Sequence, residues 1–75
     1  MDAASLIVTF PSTHAAMKAE RTLAEKKVPI VMIPVPRFIT ADCGIALRFP
    51  AEKRDEVEQA LNRAAVDFKR IYEER

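Results

Sequence analysis

The spacing of apolar positions changes along this chain, and each change marks a new element. From Ser5 to Phe10 most residues are apolar, β-branched or aromatic, with Leu6, Val8 and Phe10 on one side. That pattern predicts a first strand, stopped by Pro11. Ser12 then offers an N-cap hydroxyl, and Thr13 to Lys27 contains neither Gly nor Pro and is built largely from good helix formers. Ala16, Ala19, Leu23 and the stem of Lys26 recur at helical spacing, while Glu20 and Arg21 fall outside that face. A face of such small side chains lets the helix lie close on a sheet. Pro29 ends it, and Ile30 to Val35 reads as a second strand, which Pro34 and Pro36 mark as an edge.

Residues Pro36 to Asp42 form a mixed connection. Beyond it, Gly44 to Phe49 predicts a third strand in which Ile45, Leu47 and Phe49 alternate with Ala46 and Arg48. Alternation of this kind implies one covered face and one open face. Pro50 suits the first turn of a second helix over Ala51 to Ala65, with Val57, Ala60, Leu61 and Ala64 at amphipathic spacing. Glu52 near its start and Arg63 near its end complement the helix dipole. Val66 to Tyr72 predicts a fourth strand, charged at Asp67, Lys69 and Arg70 as exposed edges are. Met17 and Met32 read as core filler. The element order is that of an α+β, ferredoxin-like βαββαβ sandwich. Strands one and three then occupy the middle of a four-stranded antiparallel sheet, with both helices on one face.

Length and composition bound the function. Seventy-five residues support one domain, residues 1–75, in which only about 60% of the unfolded chain's surface is buried. Deep closed cavities are not expected. With 49% hydrophobic and 31% charged residues the balance is globular. Twelve Lys+Arg against eleven Asp+Glu leave a net charge of +1, with the signs alternating along the helical stretches. No basic stripe is readable, so nucleic acid is not an expected partner. The apolar runs fall far short of the ~20 residues that span a bilayer, so no membrane partner is expected. Met1 to Ser5 carries no basic leader and no cleavage pattern, and the expected location is the cytoplasm. A single Gly cannot build a phosphate-cradling loop, and one Cys with one His cannot fill a zinc site, so no cofactor and no metal are expected within one chain. A soft-metal site shared by Cys43 and His14 across a dimer is the outlying option, and a homodimer stays open on other grounds too.

The predicted topology brings the unusual residues together. If strands one and three are antiparallel neighbours, Cys43 and Gly44 start beside Phe10, Pro11, Ser12 and the opening turn of the first helix. Cys43 shares parity with Ile45 and Leu47, which aims it toward the helix layer and its unpaired N–H groups. Helix N-termini favour a thiolate. His14 and Arg37 fall at the same end, with hydroxyls from Thr9, Ser12, Thr13 and Thr40 nearby. Gly44, the sole glycine, supplies either a positive φ or room for something to approach the backbone. The plain alternatives are a small buried thiol at Cys43, a surface His14, a loop-solvating Arg37 and a turn glycine at Gly44.

Three stretches carry a family resemblance: Thr9-Phe10-Pro11-Ser12-Thr13-His14, Ile33-Pro34-Val35-Pro36-Arg37, and Asp42-Cys43-Gly44-Ile45-Ala46-Leu47-Arg48-Phe49. They resemble the small bacterial family described as "putative selenium/sulfur carrier protein-like", over about Ser5 to Tyr72. The family's motif cysteine falls on Cys43, its threonine-histidine turn on Thr13-His14 and its proline-arginine loop on Pro36-Arg37. The chain departs from the pattern at Phe38 and Ala41. The resemblance implies a carrier of sulfur or selenium that holds a persulfide or selenosulfide on Cys43 and passes it between donor and acceptor proteins. Ser12, Thr13, His14, Arg37 and Gly44 would surround the bound atom, and the partners, more than this chain, would supply catalysis. The alternative from a different class is a non-catalytic small-ligand-binding or interaction module that associates through the open sheet face, at Ile7, Ala46 and the apolar second strand.

Overall fold

A computed structural model describes residues 4–39 and 44–73. The elements are β1 (Ser5–Thr9), α1 (Thr13–Glu25), β2 (Val31–Pro34), β3 (Ile45–Pro50), a 3-10 turn (Ala51–Lys53), α2 (Arg54–Arg63) and β4 (Arg70–Glu73). The sheet order is β2-β3-β1-β4, with every neighbouring pair antiparallel. This is the ferredoxin-like arrangement, with β1 and β3 central. Leu6, Val8 and Phe10 share one core with Leu47 and Phe49, and with Ala15, Ala16, Ala19, Leu23, Val57, Ala60 and Leu61 from the helices. Both helices therefore cover the same face. The alanines of α1 hold the helix close to the strands, and each fully buried Leu, Val or Phe contributes about 1.5–3 kcal/mol by leaving water.

Both helices stop by the same device. Ser12 caps α1 in extended geometry (φ −154°, ψ 159°), and its hydroxyl accepts the Ala15 N–H at 3.1 Å. At the other end Lys27 takes φ 60°; its N–H donates to Ala24 O at 3.0 Å and the Val28 N–H donates to Leu23 O at 3.0 Å. Ala65 repeats the motif after α2 with φ 56°, its N–H reaching Asn62 O at 3.1 Å and the Val66 N–H reaching Leu61 O at 2.9 Å. These are Schellman closures with L-residues at the left-handed position, where glycine is usual. Each closure also buries its apolar pair, Val28 with Leu23 and Val66 with Leu61.

Several predicted boundaries move for this reason. The second helix, expected from Ala51 with Pro50 in its first turn, starts as a 3-10 turn and becomes α-helical at Arg54. Pro50 is extended (ψ 138°) and opposite Ser5, and the Ala51 N–H still bonds Ala4 O at 2.9 Å, so the sheet holds the chain through Ala51. The fourth strand, expected from Val66, begins at Arg70, because Val66 is committed to the helix closure. Lys69 makes the first contact with β1, its N–H bonding Thr9 O at 2.8 Å. At β2 the pairing runs through Pro34, which is tolerated because this is an edge strand. Met17 and Met32 are exposed, at 54% and 38%, and are not core filler; Met32 sits on the edge strand.

The largest difference concerns the second sheet face. Ile7 and Ala46 point away from the helices and are fully buried, so the face expected to be open is closed at its centre. The cover is Ile39, only 6% exposed, which packs on both, with Ile33, Val35 and Tyr72 around it. Two backbone bonds fold the loop into place: the Val35 N–H donates to Gly44 O at 3.0 Å, closing its neck, and the Ile39 N–H donates to Pro36 O at 3.0 Å, turning it back. An association surface built on Ile7 and Ala46 is thereby removed. Alternation along β3 could not reveal this, because the covering residue lies in a loop with no period.

Candidate functional site

One end of the sheet gathers the residues of interest. Here β1 and β2 finish and β3 and β4 begin, with Thr9 opposite both Ala46 and Arg70, and Pro34 opposite Ile45. The first helix springs from the same end through Pro11 and Ser12. The Ser12 hydroxyl is used within the fold as the cap, while Thr13 and His14 are exposed on the first turn. Thr9 is almost wholly buried and its Oγ1 donates to Arg70 O at 3.4 Å, so that hydroxyl is occupied structurally.

Gly44 lies exposed at the start of β3. Its φ is not positive, and a Cβ built on it meets no described atom within 4 Å. Of the two roles expected for this glycine, left-handed backbone is excluded, and space free of the other described residues lies beside it. Arg37 is exposed at the same end of the sheet. Its loop lies over the face opposite the helices, so Arg37 and His14 leave this end on opposite sides of the sheet. Cys43 and Thr40 fall outside the described residues, and with them the expected aim of the thiol toward the helix layer. Its parity partners Ile45 and Leu47 do pack into the helix-side core.

Reasoning from sequence missed three features of this region. Ile39 is a covering residue and not a link in a mixed connection. Phe38 beside it is exposed at 43%. On β4 the Arg70 guanidinium sits 5.8 Å from the centre of the Tyr72 ring. A pair of large apolar residues directly after Pro36-Arg37 was the available signal for the first two.

Two shallow depressions on the described surface lie away from this end of the sheet. One of about 180 Å³ lies between the end of α1 and α2, at Lys26, Glu56 and Arg63. Another, of about 210 Å³, lies at the opposite end of the sheet, between Ser5, Pro29, Val31 and Pro50. No helix among the described residues is long and apolar enough to cross a membrane.

A small antiparallel sandwich, with Gly44 at the start of one central strand, is the frame on which the candidate site sits. Residues 5–73 match the family described as "Putative Se/S carrier protein-like", and the chain belongs to that family. Carrier-like membership implies interaction with partner proteins. No significant match was found among curated proteins or among solved structures.

Proposed function

We propose that this protein carries a sulfane sulfur or selenium atom on Cys43. The observation that carries the proposal is the family match, which spans the chain's sole cysteine and the unobstructed glycine that follows it. Gly44, the residue that follows Cys43 in the chain, lies at the sheet end from which α1 springs. The positive end of a helix dipole there favours an anionic sulfur, with first-turn backbone N–H groups from Ser12 to His14, and His14 or Arg37 adding charge. Gly44 leaves a partner's thiol room to approach.

The transfer balances without an added oxidant or reductant. The Cys43 thiolate attacks the outer sulfur of a donor persulfide, R–S–SH. The donor S–S bond breaks as the new Sγ–S bond forms, and R–S⁻ leaves with the electron pair. Attack on the Cys43 persulfide by an acceptor thiolate repeats the exchange and restores the Cys43 thiolate. The chain itself holds the atom between two partners; residues 1–75 act as one domain in this role.

Loading tests this. The full chain is treated with inorganic polysulfide, desalted and weighed intact. The expected result is one added sulfur atom per chain, removed by a reducing thiol and absent from Cys43→Ser. In parallel, Cys43 alkylation is followed against pH in native and urea-unfolded protein. An apparent pKa lower in the native protein is expected, raised by His14→Ala or Arg37→Ala and unmoved by Lys53→Ala. A native thiol that neither loads nor alkylates overturns the carrier assignment.

A further inference from the structure

Net charge hides a segregation that the fold creates. The described acidic residues lie on α1 (Glu20, Glu25), on the 3-10 turn and α2 (Glu52, Asp55, Glu56, Glu58), on the connection before β4 (Asp67), and on the helix-side face of β4 (Glu73, opposite Leu6). None is on the other face of the sheet. That face carries Arg48, opposite Ile7, and Arg70, opposite Thr9. Above it runs the loop that Val35 and Ile39 pin onto Ile7 and Ala46, with Arg37 and Phe38 exposed between the two pins. Tyr72 stacks under Arg70, and Val31, opposite Arg48, is 49% exposed at the edge. Among the described residues, every arginine outside the helices stands on this side and no acidic residue does.

We infer that this arginine-aromatic face docks an acidic surface of a different protein; on the carrier assignment, that protein is a donor or acceptor. Charge complementarity selects the partner's sign. The residue types select a protein over a nucleic acid. Arginine, tyrosine and phenylalanine beside apolar surface are the enriched anchors of protein interfaces. Three cations are few for binding driven by phosphate neutralisation. The central positions where a sheet would stack bases are the aliphatic Ile7 and Ala46, already covered by Ile39.

The test uses the full ¹⁵N-labelled chain and two probes, an oligoglutamate peptide carrying one leucine and a single-stranded DNA oligonucleotide of equal charge. Peptide addition is expected to shift the amides of Val35, of residues 37–39 and of β4 in a salt-dependent manner, and the combined variant Arg70→Glu/Phe38→Ala is expected to weaken binding roughly tenfold. Lys18→Glu/Arg21→Glu, which reverses two charges on α1 where the first variant reverses one, is expected to leave it within about twofold. Equal weakening by both variants, shifts confined to the helices, or no binding overturns the inference. Tighter binding of the oligonucleotide at these amides overturns it in favour of nucleic acid. Self-association that Arg70→Glu abolishes overturns it in favour of a second copy. Arg70→Gln, which removes the charge alone, guards against a folding defect in the combined variant. Polysulfide loading of Cys43 needs no docking, so a chain that loads normally but ignores the peptide refutes the docking face and leaves the carrier assignment standing.

Discussion

Replacing Ile39 by Ala tests whether the loop after β2 truly closes the second sheet face. The substitution removes three side-chain carbons from a residue that is only 6% exposed and packed on Ile7 and Ala46. At about 0.8 kcal/mol per buried carbon the transfer loss is about 2.4 kcal/mol. The residual cavity adds little, because a surface loop can settle into the space, so the expected cost lies near the low end of the 2–5 kcal/mol range for such truncations. For 75 residues the total stability is about 4–11 kcal/mol, so the variant loses a large part of it. Urea unfolding followed by far-ultraviolet circular dichroism should show the midpoint falling with little change in slope. Thermal unfolding should drop by roughly 10–20 °C. The Val35 amide, bonded to Gly44 O at the loop's neck, should also lose exchange protection. Phe38→Ala is the control: it is adjacent but exposed at 43%, and should cost less than about 1 kcal/mol. A loss below about 0.5 kcal/mol for Ile39→Ala, or equal losses for the two variants, would refute the closure.

Three further outcomes follow from the backbone. Ser12→Ala removes the acceptor of the Ala15 N–H and should destabilise the protein by about 1 kcal/mol in urea unfolding, with Ser12→Asp restoring it. Ala65→Gly relieves a left-handed L-residue, a strain of about 1–2 kcal/mol that outweighs the added freedom of the unfolded chain; a net gain of up to about 1 kcal/mol is expected, and a loss would contradict the closure described for α2. Gly44→Ala should be neutral or stabilising by up to about 1 kcal/mol, since its φ is not positive and no described atom crowds the new methyl. If the same variant slows sulfur transfer to a bulky thiol more than polysulfide loading, the glycine serves the partner's approach; a marked loss of stability would instead make it a structural residue.

Local physics made much of this protein legible in its sequence. Alternation at Leu6, Val8 and Phe10, and at Ile45, Leu47 and Phe49, named the strand faces that meet the helices, and Ala16, Ala19, Leu23, Val57, Ala60 and Leu61 named the helix faces that meet the strands. Ser12 announced its cap because a hydroxyl oxygen just before a helix can accept from one of the unpaired N–H groups of the first turn. Element order then implied the sheet order, since few connections of this length are possible. The proposed site at Cys43 rests on residue type and family pattern, and Cys43 itself lies outside the described residues.

Features that depend on distant residues could be decided only by the tertiary structure. Left-handed closures at Lys27 and Ala65 carry no glycine to announce them; buried pairs, Leu23 with Val28 and Leu61 with Val66, accompany the unfavourable backbone. Ile39 reaches Ile7 across more than thirty positions of chain, which no local period encodes. The arginines at positions 37, 48 and 70 are scattered in a sequence of nearly balanced charge. They share a side because a strand projects alternate residues through the sheet, and because one buried isoleucine folds the loop over the face opposite the helices.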